Sequence, residues 1–250
     1  MNVLAHSISK LALAAGVVTS VVTGVMVAVL FTPVEVNAQT VPGNAPTEVK
    51  QSLVSQLEQR DQEIKQLLGD DPAADSEAIE GDQRDALGRL VFDLLDAKAL
   101  AAYALQDTFD IISDEDRQEF VDLFASILRD QSLANLDIYR AEITYDSVSV
   151  ARTEQLRPTV ELDDITYVAY TKAKFEDVET PVLYIMAKDD PEQGERDNAD
   201  HADHTSWRIL DMSIDDVYTA ESYRRQFQSI MRRRGFQPLL ESLQRRADRI

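Results

Sequence analysis

The segment from Asp189 to His204 holds the densest group of potential metal ligands in the chain. Within it, His201 and His204 lie beside Asp200 and Asp203, which are residue types that bind divalent metals. The acids do not follow the Asp-x-Asp-x-Asp-Gly order of a calcium loop, and no helical pattern places the two histidines on one face. The sequence therefore favours a solvated surface loop. The alternative function is an exported hydrolase that uses this His/Asp-rich loop, residues 189–204.

No other pattern in the chain points to catalysis. Ser206 follows His204 and Asp203, but residues so close in sequence cannot normally converge as nucleophile, base and orienting acid. The chain has no cysteine, and its 8 glycines form neither GxGxxG nor GxxxxGK(S/T), the two common phosphate-binding motifs. With 45 acids, close carboxylate pairs arise by chance and indicate no glycosidase. We therefore predict no enzyme activity, no catalytic residue, no metal and no cofactor.

Arginine is concentrated near the C-terminus. From Val217 onward the chain has 8 Arg, no Lys and 3 acids, whereas the formal net charge of the whole chain is −20. That overall charge argues against nucleic acid as a partner. Arginine binds phosphate bidentately, so these residues are candidates for head-group contact or membrane docking. The candidates are Arg224, Arg225, Arg232, Arg233 and Arg234. Alternatively, the last three only compensate the dipole of a helix that ends before Gly235.

The N-terminus has the pattern of a secretory signal. A start with the single cation Lys10 precedes an apolar run from Leu11 to Phe31, and Pro33 ends that run. Small or aliphatic residues then lead up to Ala38, which predicts a signal peptide over residues 1–38 with cleavage after Ala38. An uncleaved membrane anchor is the alternative, because a run of 21 residues can span a bilayer, although Thr19, Ser20 and Thr23 dilute its apolar character. Export without any cysteine suits the bacterial periplasm, which is the predicted location.

Hydrophobic periodicity divides the rest of the chain into helices, then strands, then helices. The predicted helices are Thr47–Leu68, Gln83–Phe109, a segment capped by Ser113 that runs to about Tyr139, Tyr218–Arg234 and Pro238–Arg249. The predicted strands are Ile143–Ala151, Ile165–Phe175, Pro181–Ala187 and Ser206–Ile214. This order predicts an α+β fold with an antiparallel or mixed sheet. It also divides the chain into the signal peptide, an N-terminal linker and helix over 39–82, and a main domain over 83–250.

Several weak motifs occur in an order that resembles a known family. Trp207 begins a strand with Asp211 four positions on, a Tyr223-Arg-x-x-Phe helix follows, and Gly235 precedes a short terminal helix. Upstream, the Ser113-x-x-x-Arg-x-x-Phe pattern and Tyr139 before the first strand fit as well. Over residues 83–248 the sequence resembles the MlaC (toluene-tolerance) family of periplasmic phospholipid carriers, auxiliary components of an ABC transport system. The departures are the acidic 188–204 insertion, the low pI and Asp216, where the family often has glycine.

The resemblance implies a fold and a function. The fold would be a twisted sheet with helices packed on one side, enclosing an apolar cavity for acyl chains. The function would be that of a soluble, monomeric carrier that binds phospholipid. It would move lipid between an inner-membrane ABC complex with an MCE-domain protein and an outer-membrane lipoprotein complex. Each methylene left in water costs about 0.8 kcal/mol, so a lipid that crosses an aqueous compartment needs such a cover.

Thirteen apolar and aromatic residues are candidates for the wall of the lipid cavity. They are Val91, Leu95, Phe120, Phe124, Tyr139, Tyr167, Tyr170, Leu183, Ile185, Trp207, Ile209, Tyr223 and Phe227. For each of them, ordinary core packing is the alternative, because the same spacing serves both. Tyr167 and Tyr170 have opposite parity, so only one of them faces the cavity if their strand is regular.

Overall fold

The computed structural model describes residues 44–69, 81–133, 139–151, 166–188 and 207–249. The helices are α1 (Thr47–Leu68), α2 (Asp82–Phe92), α3 (Ala97–Leu105), α4 (Asp107–Ile111), α5 (Asp114–Leu133), α6 (Thr219–Arg234) and α7 (Phe236–Ala247). The strands are β1 (Glu142–Val150), β2 (Thr166–Phe175), β3 (Val178–Lys188), β4 (Trp207–Ile214) and β5 (Val217–Tyr218). The signal segment 1–38, the loop 189–204 and Ser206 lie outside the described residues. No helix in the described ranges is long and apolar enough to cross a bilayer.

The five strands form one antiparallel sheet in the order β1-β2-β3-β4-β5. Each strand therefore pairs with its neighbour in sequence, so the connections stay on adjacent strands. Helices precede and follow the sheet and pack against it. The predicted α+β class is confirmed, and of the two predicted sheet types the antiparallel one is present.

Alternate side chains of the sheet point towards the helices. One row across this inner face consists of directly paired residues from β1, β2, β3 and β4, which are Tyr145, Thr171, Val182 and Ile214. Tyr184 lies on the same face, two residues beyond Val182. The inner face is thus set by the hairpin register, which the sequence pattern alone did not assign.

Helix α1 has the bounds that its thin apolar stripe predicts and packs onto the inner face near β4. Its buried residues are Leu53, Leu57, Ile64 and Leu68. The Gln56 amide donates to the Trp207 carbonyl oxygen at 2.9 Å, and its side-chain oxygen accepts from the Trp207 N–H, also at 2.9 Å. The Trp207 indole Nε1 donates to Ser52 Oγ at 3.1 Å. Side chains of α1 therefore hydrogen-bond the edge of β4 where another strand would pair.

Helices α3 and α5 to α7 share a second core that is filled with aromatic rings. The aromatic core consists of Phe120, Phe124, Tyr223 and Phe227. The Phe124 ring lies 4.8 Å from Tyr223 and 5.4 Å from Phe227, both edge-on. Edge-to-face pairs at such distances add to the free energy gained from burial. This part of the molecule is closely packed.

The predicted helix Gln83–Phe109 is wrong as a single element, because the chain forms α2, α3 and α4 there. Leu94 O accepts from Ile209 N at 2.6 Å, and Asp96 N donates to Ile209 O at 2.9 Å, so this segment bonds to β4 instead of continuing the helix. Asp96 then caps α3 by accepting from Ala99 N at 2.8 Å. Gln106 makes the second break with a positive φ of 53°. Apolar spacing continues through both breaks, which is why periodicity missed them.

Two polar side chains fix helix starts. Ser113 Oγ accepts from Asp116 N at 3.1 Å, which confirms the predicted cap of α5. Asp211 on β4 reaches forward to α6, where its Oδ1 accepts from Ala220 N at 3.0 Å. Helix α5 is described to Leu133, and the residues that follow up to 138 lie outside the described part.

Candidate functional site

A cavity of about 200 Å³ lies between the inner face of the sheet and helices α1, α2 and α5. Most of its wall is apolar. The apolar lining residues are Leu57, Ile64, Leu90, Val91, Phe92, Leu94, Leu95, Leu100, Leu128, Ala141, Ile143, Ala173, Val182, Ile209, Met212 and Ile214. A wall of this kind stabilises hydrocarbon, since each methylene moved out of water gains about 0.8 kcal/mol.

Polar side chains form a minor part of the wall. They are Arg60, Asp61, Gln131, Ser132, Tyr139, Tyr145, Tyr184 and Thr219. Burial raises the pKa of Tyr184 to about 12, and the Asp61 carboxylate adds to that rise. Burial also raises the pKa of Tyr139 and Tyr145 well above the usual phenol value. All three phenols are therefore protonated hydrogen-bond donors at physiological pH.

Two charged residues of α1 lie where the cavity meets solvent. Asp61 forms an ion pair with Lys65 at 2.8 Å, and Arg60 lies 3.5 Å from Glu63 and 3.8 Å from Asp93, the residue that follows α2. The side chains of Arg60 and Asp61 are 24% and 27% exposed, so both reach water while they line the cavity. The contact between Arg60 and Asp93 also connects α1 with α2 across this opening.

Four of the predicted lining residues lie in the cavity wall. They are Val91, Leu95, Tyr139 and Ile209. Val91 belongs to α2 and Leu95 to the segment that follows it. Tyr139 lies just before β1, and Ile209 belongs to β4. Hence residues far apart in sequence meet at one site, as the prediction required.

The other nine predicted residues lie elsewhere. Four of them, Phe120, Phe124, Tyr223 and Phe227, are the aromatic core itself. Tyr167 and Trp207 pack edge-on against each other beneath α1, with ring centroids 5.4 Å apart. The residues on the outer face of the sheet are Tyr170, Leu183 and Ile185. The structure thus brings one of Tyr167 and Tyr170 to the inner face, and contact of these nine with a lipid remains a prediction.

Sequence reasoning missed the contribution of α1 and of alternate strand residues. Leu57, Asp61 and Ile64 line the cavity from α1, a helix that the sequence had separated from the main domain. Tyr145 and Tyr184 were also missed. Strand alternation through Ile143 and Tyr145, or Val182 and Tyr184, was the available signal, but it does not say which face meets the helices.

The predicted arginines fall into two groups. Arg224 and Arg225 both bind the buried Glu221, with Nε–O distances of 2.6 and 2.8 Å. Arg232, Arg233 and Arg234 are exposed at the C-terminal end of α6. Only Thr219, the first residue of α6, reaches the cavity, and a helix of this length puts Arg234 about 22 Å away. The arginine cluster Arg232–Arg234 is therefore a surface separate from the cavity wall.

Comparison with known proteins explains the fold. Residues 58–245 match the family model of the MlaC protein. The chain belongs to the MlaC family. The fold is similar to that of a phospholipid-binding protein from Ralstonia solanacearum, solved in complex with a phospholipid, with a TM-score of 0.57 and 18% identity; the match covers 80% of this chain and 97% of that one. No curated protein matches.

The residues that carry the MlaC resemblance hold the fold together. Trp207 binds α1, and Asp211 caps α6. Tyr223 is hydrogen-bonded with the side-chain amide of Gln131 on α5, and Arg224 binds Glu221, which also accepts from the Tyr103 hydroxyl at 2.9 Å. These contacts align α6 with the sheet and with α5. Tyr139 is the member of the pattern that lines the cavity, and the other residues of the MlaC pattern named here specify the frame around it.

Proposed function

We propose that this protein is an exported phospholipid carrier that binds acyl chains in the cavity between sheet and helices. The single observation that carries the proposal is the apolar wall of that cavity in a chain of the MlaC family. The phospholipid in the similar Ralstonia solanacearum protein supports the same ligand class. A cavity wall of leucine, isoleucine and valine side chains suits storage of hydrocarbon and offers it no reactive group, which favours a carrier over an enzyme.

The size of the cavity bears on how lipid enters. A volume of about 200 Å³ is smaller than the roughly 300–1,000 Å³ of sites that enclose drug-sized ligands. Binding of a diacyl lipid therefore requires the helices to move away from the sheet. Helices α1 and α2 both contribute to the wall, and the long ion pair between Arg60 and Asp93 connects α1 with the residue that follows α2.

We also propose a cellular location and partner complexes for this protein. The carrier is secreted to the periplasm after cleavage behind Ala38. It exchanges lipid there with an inner-membrane ABC complex that has an MCE-domain protein, and with an outer-membrane lipoprotein complex. It works as a monomer. The exposed arginine cluster Arg232–Arg234 suits the anionic surface of either membrane, since each surface cation contributes about 1 kcal/mol there.

Native mass spectrometry tests lipid binding. The purified protein, incubated with phospholipid liposomes and re-isolated, should carry a mass increment of one or more phospholipids. Val91→Phe places a ring in the cavity and should lower the loaded fraction several-fold, whereas Val217→Phe makes the same change at an exposed position of β5 and should not. A wild-type protein that takes up no lipid would contradict the proposal.

Cell fractionation tests the location and the docking surface. The chain should be found in the periplasmic fraction with Gln39 as its first residue. Charge reversal of Arg232, Arg233 and Arg234 should slow lipid transfer from anionic liposomes and reduce its dependence on salt. Transfer rates that do not change across this series would restrict the cluster to compensation of the helix dipole.

A further inference from the structure

Two tyrosines stand on either side of a shallow trough in the inner face of the sheet. Tyr145 projects from β1 and Tyr184 from β3, while β2 between them contributes the small side chains of Ala169, Thr171 and Ala173. Two strand spacings separate β1 from β3 by about 9.6 Å. The trough therefore has phenol side chains as its walls and small side chains as its floor, and it opens into the cavity that both tyrosines line.

The hydroxyls of Tyr145 and Tyr184 have no hydrogen-bond partner among the described residues. Two other tyrosines among the described residues are satisfied by the protein. Tyr103 donates to Glu221 at 2.9 Å, and Tyr223 is bonded with Gln131. Polar groups removed from water are normally paired, so two half-buried phenols that line an apolar cavity without a protein partner indicate a place for a ligand acceptor.

The chemistry of that acceptor follows from the neighbouring charge. Burial raises the pKa of both phenols, and the nearby Asp61 and Glu58 carboxylates raise that of Tyr145 further, so both groups stay protonated and donate. The cations nearby are paired, Lys65 with Asp61 and Arg60 with Glu63 and Asp93, and the charged side chains that act on Tyr145 are the two carboxylates, which disfavour a phosphate or a fatty acid anion beside it. A neutral oxygen acceptor is the group that suits two phenol donors in such a field.

We propose that Tyr145 and Tyr184 donate hydrogen bonds to the acyl ester carbonyls of a glycerolipid whose chains lie in the cavity. The inference rests on the proposed function and names the part of the lipid that the site recognises. A diacyl lipid brings two ester carbonyls into the hydrocarbon region, where each needs a donor once water is excluded. Tyr145 and Tyr184 supply one donor each, from the two sides of the trough.

A competition between ester and ether lipids tests the assignment. The purified protein is offered equal amounts of a diester and a diether phosphatidylcholine with the same chain lengths, and native mass spectrometry measures the bound ratio. The diether lipid has the same hydrocarbon chains as the diester lipid but lacks the ester carbonyl groups. We expect the wild-type protein to favour the diester, by about two- to tenfold for each hydrogen bond.

Conservative variants connect the preference with the two hydroxyls. Tyr145→Phe and Tyr184→Phe should each reduce the ester preference, and the double variant should bind both lipids equally. Tyr170→Phe, on the outer face of the sheet, is the matched control and should keep the full preference. Far-ultraviolet circular dichroism of each variant checks the fold.

Three outcomes overturn the proposal. Equal binding of the two lipids by the wild-type protein excludes carbonyl recognition while leaving the carrier function intact, and that measurement needs no variant. A preference that survives in the double variant excludes these tyrosines. If the wild-type protein binds oleate more tightly than the diester lipid, and the double variant does not, the two hydroxyls bind a carboxylate instead of ester carbonyls. Failure to bind either phospholipid refutes the proposed function itself.

Discussion

The aromatic core and the cavity are built from the same kind of sequence pattern but differ in how completely they are filled. In the aromatic core, Phe124 contacts two further rings at 4.8 and 5.4 Å, and its side chain is fully buried. In the cavity wall, the sheet offers the small or aliphatic side chains of Ala173, Val182 and Ile143, with Tyr145 and Tyr184 beside them. Side-chain size at the inward positions therefore decides whether two apolar faces close on each other or leave room for a ligand.

The largest expected effect is in the aromatic core. Phe124→Ala should lower the free energy of unfolding by about 3–5 kcal/mol, because a closely packed site loses both burial and ring contacts. Urea unfolding measures it, and Phe124→Leu should lose much less. Lipid loading of the fraction that remains folded should stay near the wild-type level. If loading falls in proportion to stability, the two regions are not separate in function.

The link between α1 and β4 should give the next largest effect. Gln56→Ala removes two hydrogen bonds to the Trp207 backbone and should cost about 1–2 kcal/mol. Hydrogen exchange at the Trp207 amide should accelerate. Gln59→Ala is the control, because Gln59 bonds only to the exposed Glu63 on its own helix. Equal effects of the two variants would contradict a role for Gln56 in holding the cavity wall.

Two valines on the sheet allow a direct comparison of a closely packed position with a position in the cavity wall. Val148 and Val182 are equally buried, but only Val182 lines the cavity. Val182→Ala should cost about 1 kcal/mol and should maintain or increase lipid loading, since truncation enlarges a space that already exists. Val148→Ala should cost more, because it creates a new void beneath α1. Unfolding curves and loaded fractions that agree for both variants would refute the distinction.

The smallest expected effect is a gain. Asp216 adopts a left-handed φ of 61° in the turn between β4 and β5, a conformation that glycine adopts at a lower cost than aspartate. Asp216→Gly should therefore raise the melting temperature slightly without changing lipid loading. Asp177, in the other tight turn, does not have a positive φ, so Asp177→Gly should give no gain. A gain in both variants would point to relief of charge repulsion instead.

How far the sequence predicts the molecule depends on which interaction decides each feature. The bounds of α1 and the Ser113 cap could be predicted, because local spacing and a local hydrogen bond determine them. The break at Leu94–Asp96 could not, because its cause is a pairing with Ile209 more than one hundred residues away. The order of helices and strands along the chain predicted the α+β class correctly, because hydrophobic periodicity distinguishes the two kinds of element.

The candidate site was predictable only in part. Val91, Leu95, Tyr139 and Ile209 were placed correctly in the wall. Phe120 and Phe124 have the same helical spacing but fill the aromatic core, since periodicity marks a face as apolar without saying what lies opposite. Tyr145 and Tyr184 depended on the strand register, which only the pairing of whole hairpins defines.

The bond between Gln56 and Trp207 has a consequence for how the protein folds. It joins residues 151 positions apart, so α1, which precedes every strand, makes this contact only once β4 has joined the sheet. Contacts of such long range slow folding, because the chain loses the entropy of a large loop before it gains the contact. The cavity wall is therefore complete only when β4 and the first residue of α6 have joined the helices and strands that precede them in the chain.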